Sequence, residues 1–332
     1  MWLIVAWSTI ENLRHSVVTR STLVSSIAPS TLQAAGRSSA SAPIRATTSW
    51  AGWAALAFTL LIWASFFVSL RAGARAALAP AELALVRFLP AGLVFLPVVI
   101  LRWRRFASLP ALQWMSIVAG AGLPYFLIAG AGMRHAPVAD GATLIPGTIP
   151  LFVALIAAFA QGRAALRRWP ALLTVASGVL TLLAFHHGEG QLAQGYGLFL
   201  LGSLMWANYT LALRHSGLSP IEAAALISVV SLGLLLPWLL MHPPLGLMAL
   251  PARAWALHGS IQGLGVGLLS TLSYAFAIQR LGAQRAATVG ALTPVLAAAL
   301  AWPMFGEVPD AATLAGMGLI LGGVLWSQRP QR

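Results

Sequence analysis

The chain is predicted to be an all-α polytopic membrane protein, with ten transmembrane helices arranged as two inverted five-helix repeats. Three observations predict it. The first is composition: 59% of the 332 residues are hydrophobic and only 8% are charged, where a soluble domain carries about 25% charged residues. A soluble helical protein would need charged outer faces that this chain does not supply. The second is a series of ten apolar segments, most of them near the ~20 residues that cross a bilayer. The third is an internal echo. Residues 61–71 read LIWASFFVSLR and residues 204–214 read LMWANYTLALR, and Leu78-x-Pro80-x-Glu82 returns as Leu218-x-Pro220-x-Glu222. A similarity that recurs along one chain marks a duplicated unit.

Residues 1–50 stand apart from the rest. They are rich in Ser, Thr, Ala and Arg, hold the single acid Glu11, and contain no apolar run of spanning length. They read as a disordered N-terminal extension or as sequence upstream of the start codon in use; a targeting leader is the other reading. The spans then follow at 51–70, 81–101, 111–132, 138–160 and 169–186, and at 195–213, 220–241, 259–278, 286–304 and 311–327. Breakers separate them: Pro80, Pro110, Pro137, Pro170, Pro220, the Pro243–Pro244 pair and Pro309. Each must be a helix, because in lipid the backbone has to satisfy its own hydrogen bonds. A β-barrel would show alternating segments of about ten residues, and the run at 195–213 does not alternate.

Arginine sets the orientation. With ten spans both termini share one side, and that side holds fifteen arginines against four on the other, with Arg87 inside a span. The excess places both termini in the cytoplasm of a bacterial plasma membrane. The units are 51–190 and 191–328. Each holds five spans, an odd number, so the second copy crosses the membrane upside down relative to the first. Inverted repeats around an in-plane pseudo-twofold axis put a substrate near the midplane between the halves.

Several function classes are excluded or disfavoured. The chain has no cysteine, which removes disulfides and thiolate chemistry. The formal charge of +13 belongs to loops rather than to a nucleic-acid surface. No glycine run is followed by the Lys-Ser/Thr of a phosphate loop. His186, His187 and Glu189 form too small a set for a metal site, and no Ser-His-Asp set offers catalysis. No cofactor is expected, and the chain is not expected to be an enzyme.

The residues also resemble a known family, the EamA-type transporters of the drug/metabolite transporter superfamily. In the first half the resemblance is carried by IWASFFVSLR, AELALVRFLPAGLVF, TIPLFVALIAAFAQGR and SGVLTLL. In the second it is carried by MWANYTLALR, LTPVLAAALAWPMFGE and GLILGGVLW. The resemblance implies ten helices in two inverted repeats and movement of metabolites across a membrane. One departure stands out. The family's Gly-Glu after the fourth helix of the repeat is kept as Gly306-Glu307, whereas the first half has Gly162-Arg163.

Candidate site residues lie at matched positions of the repeat. Trp63 and Trp206 are equivalent, as are Ser65 and Asn208, and Phe66 and Tyr209. An asparagine in a span needs a hydrogen-bond partner, either another helix or a substrate. Trp206 shares a face with Tyr209 (i, i+3), while Asn208 points roughly 200° away from Trp206; the tryptophan face is the expected pocket wall. Arg87 is a candidate partner for a substrate carboxylate, with snorkelling to the interface as the alternative. Tyr125 and Tyr274 are polar aromatics in apolar spans, suited to a cavity or to an interfacial belt. Pro146, Pro150 and Pro294 are expected to interrupt the fourth and ninth helices and to shape or gate the cavity; passive kinks are the bland reading. Glu82 and Glu222 follow prolines at helix starts and are expected to cap them. Gly263, Gly265, Gly267 and the stretch Gly318 to Gly322 give small-residue faces for close packing or a homodimer.

Together these read as a secondary transporter that exports a small metabolite or drug-like molecule across the inner membrane by alternating access. The expected partners are that small-molecule substrate and the lipid bilayer. The alternative is a polytopic membrane enzyme or lipid-handling protein without transport activity.

Overall fold

The computed structural model describes residues 50–161, 168–185 and 190–328. The extension 1–49, Arg163, Arg167, and His186–His187 with Glu189 lie outside the described residues. Helix α1 runs Trp50–Arg75 and α2 runs Pro80–Leu101. Helix α3, Ala111–Gly132, is in two pieces, Ala111–Ala121 and Leu123–Gly132. Helix α4 is Val138–Gln161, α5 Trp169–Phe185, α6 Gly190–Ser216 and α7 Pro220–Met241. Helix α8, Ala252–Leu281, is π-helical over Gly259–Leu269. Helix α9, Ala283–Phe305, is divided into Ala283–Gly290 and Thr293–Phe305, and α10 is Ala311–Ser327. Short turns of helix, Trp103–Ala107 and Leu245–Met248, sit in the α2–α3 and α7–α8 connections. No strand occurs among the described residues.

Eight of these helices are long and apolar enough to cross a membrane. The other two, α5 and α10, are apolar but have 17 residues each. That is about 25 Å of helix against a hydrocarbon core of about 30 Å.

The helix starts show why the chain folds this way locally. Proline opens both α2 and α7, where its missing N–H costs nothing. Glu82 reaches back to accept from the Ala79 amide at 2.7 Å, and Glu222 accepts from the Ser219 amide at 2.9 Å. The Ser219 hydroxyl accepts from the Glu222 amide, closing a capping box. Asp310 caps α10 by accepting from the Thr313 amide at 2.7 Å. Glu307, after α9, gathers three partners. It takes Arg71 Nε at 2.7 Å, Arg75 Nη2 at 2.9 Å and the Val138 amide at 2.9 Å, so it joins the end of α1 to the start of α4.

Packing is reciprocal. Helix α1 packs on α8 and α9, while α6 packs on α3 and α4; α2 meets α7, α4 meets α9, and α5 meets α10. Glycines set the closest of these approaches. A Cβ on Gly178 of α5 would lie 2.7 Å from the Gly316 carbonyl oxygen of α10, and one on Gly120 of α3 would overlap the Met205 carbonyl of α6.

One expectation changes here. Pro146 and Pro150 lie inside α4 without interrupting it. Each proline removes a single helical bond, and the turns around them continue, with the Thr143 and Thr148 hydroxyls donating to Ala139 O and Leu144 O. In the first half the helix breaks instead at Gly122 of α3, where the Leu123 amide donates to Ser231 Oγ of α7 at 2.9 Å. The glycines of α8 follow the close-packing reading and are used inside the chain. A Cβ on Gly263 would sit 3.0 Å from Val86 O, and one on Gly267 would sit 3.1 Å from Arg87 O. Gly318 and Gly322 of α10 have nothing within 4 Å of a Cβ position.

Candidate functional site

Arg87 lies near the middle of the first half of α2, in a helix whose lipid side is made of Leu93, Val94, Leu96 and Ile100, all exposed. Its own side chain turns inward. The guanidinium carbon stands 5.4 Å from the Phe66 ring centroid on α1, 5.3 Å from Phe88 and 5.5 Å from Phe126 on α3. Three ring faces offer a cation electrostatic attraction without a counter-charge. Among the described residues the guanidinium has neither a carboxylate nor a hydrogen-bond acceptor. The aromatic cage is itself braced, Phe126 meeting Phe66 at 6.1 Å and Phe88 at 5.8 Å, both edge to face.

A second aromatic group adjoins the first through α3. Tyr125, next to Phe126, is buried and meets Trp206 of α6 edge to face at 4.9 Å; Trp206 in turn meets Tyr209 at 5.3 Å. The (i, i+3) pair therefore shares the face of α6 that looks at α3. Gly120 brings the two backbones together there. Trp63 lies one turn before Phe66 on α1 and packs on Tyr274 of α8 at 4.8 Å. The structure thus places Arg87, Tyr125, Trp206 and Tyr209 on α2, α3 and α6, with Trp63 and Tyr274 one turn along α1. Asn208 goes elsewhere. It is buried on the side of α6 shared with Leu204 and Leu211, which packs against α4. Ser65 is half buried on α1. Pro294 is buried at the start of the second piece of α9.

Sequence reasoning missed three polar contacts. Ser69 of α1 and His258 of α8 are 2.8 Å apart and both buried. Thr59 and Ser273 meet 2.8 Å apart along the same pair of helices. Gln262, fully buried in the π-helical stretch, makes only a long 3.5 Å contact to Phe66 O, and its Oε1 has no hydrogen-bond partner. The signal was a glutamine and a histidine inside an otherwise apolar span. Asp140 is also buried, accepting from Tyr196 at 2.9 Å and from Thr313 of α10 at 3.3 Å.

Comparison with known proteins places this arrangement. Residues 193–328 match the EamA-like transporter family. The chain is 24% identical over 271 residues to YdfC of Bacillus subtilis, a protein named as an uncharacterized transporter, covering 80% of this chain and 87% of YdfC. It is 25% identical over 272 residues to YedA of Escherichia coli K12, named as an uncharacterized inner membrane transporter, covering 80% of this chain and 86% of YedA. A solved crystal structure shares its fold, with a TM-score of 0.55 at 18% identity over 83% of this chain and 96% of its own. Its apolar helices and these similarities make the chain a multi-pass membrane protein of transporter type, similar to the EamA-like transporter family over residues 193–328.

Proposed function

We propose that the protein exports a small organic anion across the bacterial inner membrane, by alternating access between two inverted five-helix halves with both termini in the cytoplasm. The observation that carries the substrate class is Arg87: a guanidinium inside a span, caged by Phe66, Phe88 and Phe126, with no acid among the described residues to neutralise it. A charge kept unpaired in a membrane protein is costly unless its partner arrives from elsewhere, and a carboxylate or a phosphate fits a planar guanidinium through two parallel hydrogen bonds. Tyr125, Trp206 and Tyr209 supply amphipathic walls beside it.

The inverted arrangement draws support from the packing. Exchanging α1 with α6, α2 with α7, α3 with α8, α4 with α9 and α5 with α10 leaves the α2–α7, α4–α9 and α5–α10 contacts as they are and interchanges the contacts that α1 and α6 make across the halves. The contact of α1 with α8 becomes that of α6 with α3, and the contact of α1 with α9 becomes that of α6 with α4. The distortions also correspond: Gly122 breaks α3, and Gly265, in the π-helical stretch of α8, lies the same 143 residues further on as Trp206 does from Trp63. Discontinuous helices at matching points of two repeats are where transporters place substrate sites.

The substrate is sought by a resistance screen on overexpression, followed by flux in proteoliposomes for each hit. Alanine at Trp63 and Trp206 together is expected to abolish that flux. Unchanged flux from the folded double variant would sink the site. Transport is expected to persist without a pH gradient, and collapse on dissipating the gradient would overturn the facilitated mechanism.

A further inference from the structure

The end of α2 and the start of α7 line an open cleft of about 540 Å³, away from the aromatic residues around Arg87. Its wall and its rim differ in chemistry. Val98, Leu101 and Ile221 form the wall, and they belong to the spans; Leu101 is 80% exposed. Arg102 and Arg105 form the rim, with Glu222 between them. Arg105 Nε is 3.1 Å and Arg102 Nη1 is 3.5 Å from the same oxygen, Glu222 Oε1. The other carboxylate oxygen is already held by the Ser219 amide. The Arg102 side chain remains 64% exposed. Arg104 adds a third cation beside them, lying 5.7 Å from the ring of Trp103, which is 58% exposed. An exposed tryptophan at the end of a span marks the depth of lipid headgroups.

Three arginines against one glutamate leave the rim positive, and the wall below it is apolar. A ligand that satisfies both carries an anionic head and a hydrocarbon tail. The corresponding connection of the other half lacks the first of these features. Glu82 there accepts from the Leu247 amide at 3.0 Å, and no arginine occurs between Pro243 and Ala252. The feature therefore belongs to one leaflet only.

We propose that this cleft binds an anionic phospholipid, its phosphate on Arg102 and Arg105 and an acyl chain along Val98, Leu101 and Ile221. Basic pockets at the ends of transmembrane helices take such headgroups. The lipid competes with Glu222 Oε1 for the two arginines, while Oε2 goes on capping α7. It ties the end of α2 to the start of α7.

The test is native mass spectrometry of the full chain with phosphatidylglycerol or phosphatidylcholine added. The wild type is expected to retain phosphatidylglycerol in preference to phosphatidylcholine. R102Q/R105Q is expected to bind it about 25-fold more weakly, a factor of roughly five for each arginine near an anionic group. Equal retention of both lipids by the wild type, or equal retention of phosphatidylglycerol by the double variant, overturns the proposal. So does displacement of the lipid by glycerol phosphate at concentrations close to the lipid's own, which would make this an ion site. Should the double variant fail to fold, E222Q decides. It keeps both arginines and removes their competitor, so retention of phosphatidylglycerol is expected to rise; unchanged or lower retention overturns the proposal.

Discussion

A guanidinium held by ring faces alone is attracted but not neutralised, and Arg87 meets three rings inside a span, whereas Arg104 and Arg280 meet one ring each at exposed helix ends. Arg71 and Arg75 share Glu307, and Arg102 and Arg105 share Glu222. Arg134 donates to Leu78 O at 2.8 Å. No described residue takes the donors of Arg87, which the proposed function assigns to the substrate. A hydrogen bond to a charged partner contributes about 1.5–3 kcal/mol, which is roughly 10- to 150-fold in affinity. R87A is therefore expected to raise the KM for the exported anion by one to two orders of magnitude. R87K keeps the charge but loses the planar fork, and should fall between wild type and R87A. The measurement is concentration-dependent counterflow in proteoliposomes, with folded yield as the control. A KM for R87A equal to that of the wild type would remove Arg87 from the site.

At the scale of elements, glycine decides which helices touch. Helices α5 and α10 are short, and they pair through backbone: Gly178 faces the Gly316 carbonyl, and Gly323 faces the Ala171 carbonyl at 2.8 Å from a Cβ position. A methyl group on Gly178 would have to move backbone, since Ile320 N is also only 3.0 Å away. G178A is expected to cost about 1–3 kcal/mol, read as a lower unfolding temperature in detergent. G318A lies on the open side of α10 and should be neutral, or stabilising by up to about 1 kcal/mol through helix propensity. Equal effects of the two would mean that α5 and α10 do not meet as described. The same residue type explains why part of the architecture was legible in the sequence and part was not. Hydropathy and the Trp63/Trp206 echo locate the helices, because apolar length is a property of the segment alone. The break at Gly122 and the π-helical stretch around Gly265 depend on what sits opposite, Ser231 in the first case and Ile62 with the α2 backbone in the second. Gly263-Leu-Gly265-Val-Gly267 reads equally well as close packing and as distortion, and the structure uses it for both. Pro146 and Pro150 misled for the converse reason. Proline is a strong local signal, but a long buried helix absorbs two missing bonds. For the site, Arg87 and the (i, i+3) pair Trp206–Tyr209 were visible as anomalies in apolar spans. The phenylalanine cage was not, since Phe66, Phe88 and Phe126 look like ordinary core until a cation is found among them.

At the scale of the whole molecule, the reading rests on parity. Five spans per unit put equivalent loops on opposite sides of the membrane, whereas four or six would put them on the same side. Helices α5 and α10 are the two whose length leaves the count open, with 17 residues each. If α5 did not cross, the loop after α6 would face the same side as the loop after α1. Ala76, just after α1, and His215, at the end of α6, are both exposed and lie where the equivalent connections of the two units begin. The chain contains no cysteine, so single substitutions at these positions report without any background to remove. A76C is expected to react with a membrane-impermeant maleimide in intact cells from which the outer barrier has been stripped. H215C is expected to react only after the membrane is permeabilised, with Arg214 and the arginines of the α2–α3 connection beside it on the cytoplasmic side. Labelling of both from the same side would mean parallel units and would remove the pseudo-twofold axis on which alternating access depends. Labelling of H215C alone in intact cells would keep the inverted repeat and reverse its orientation, so the one experiment separates topology from direction.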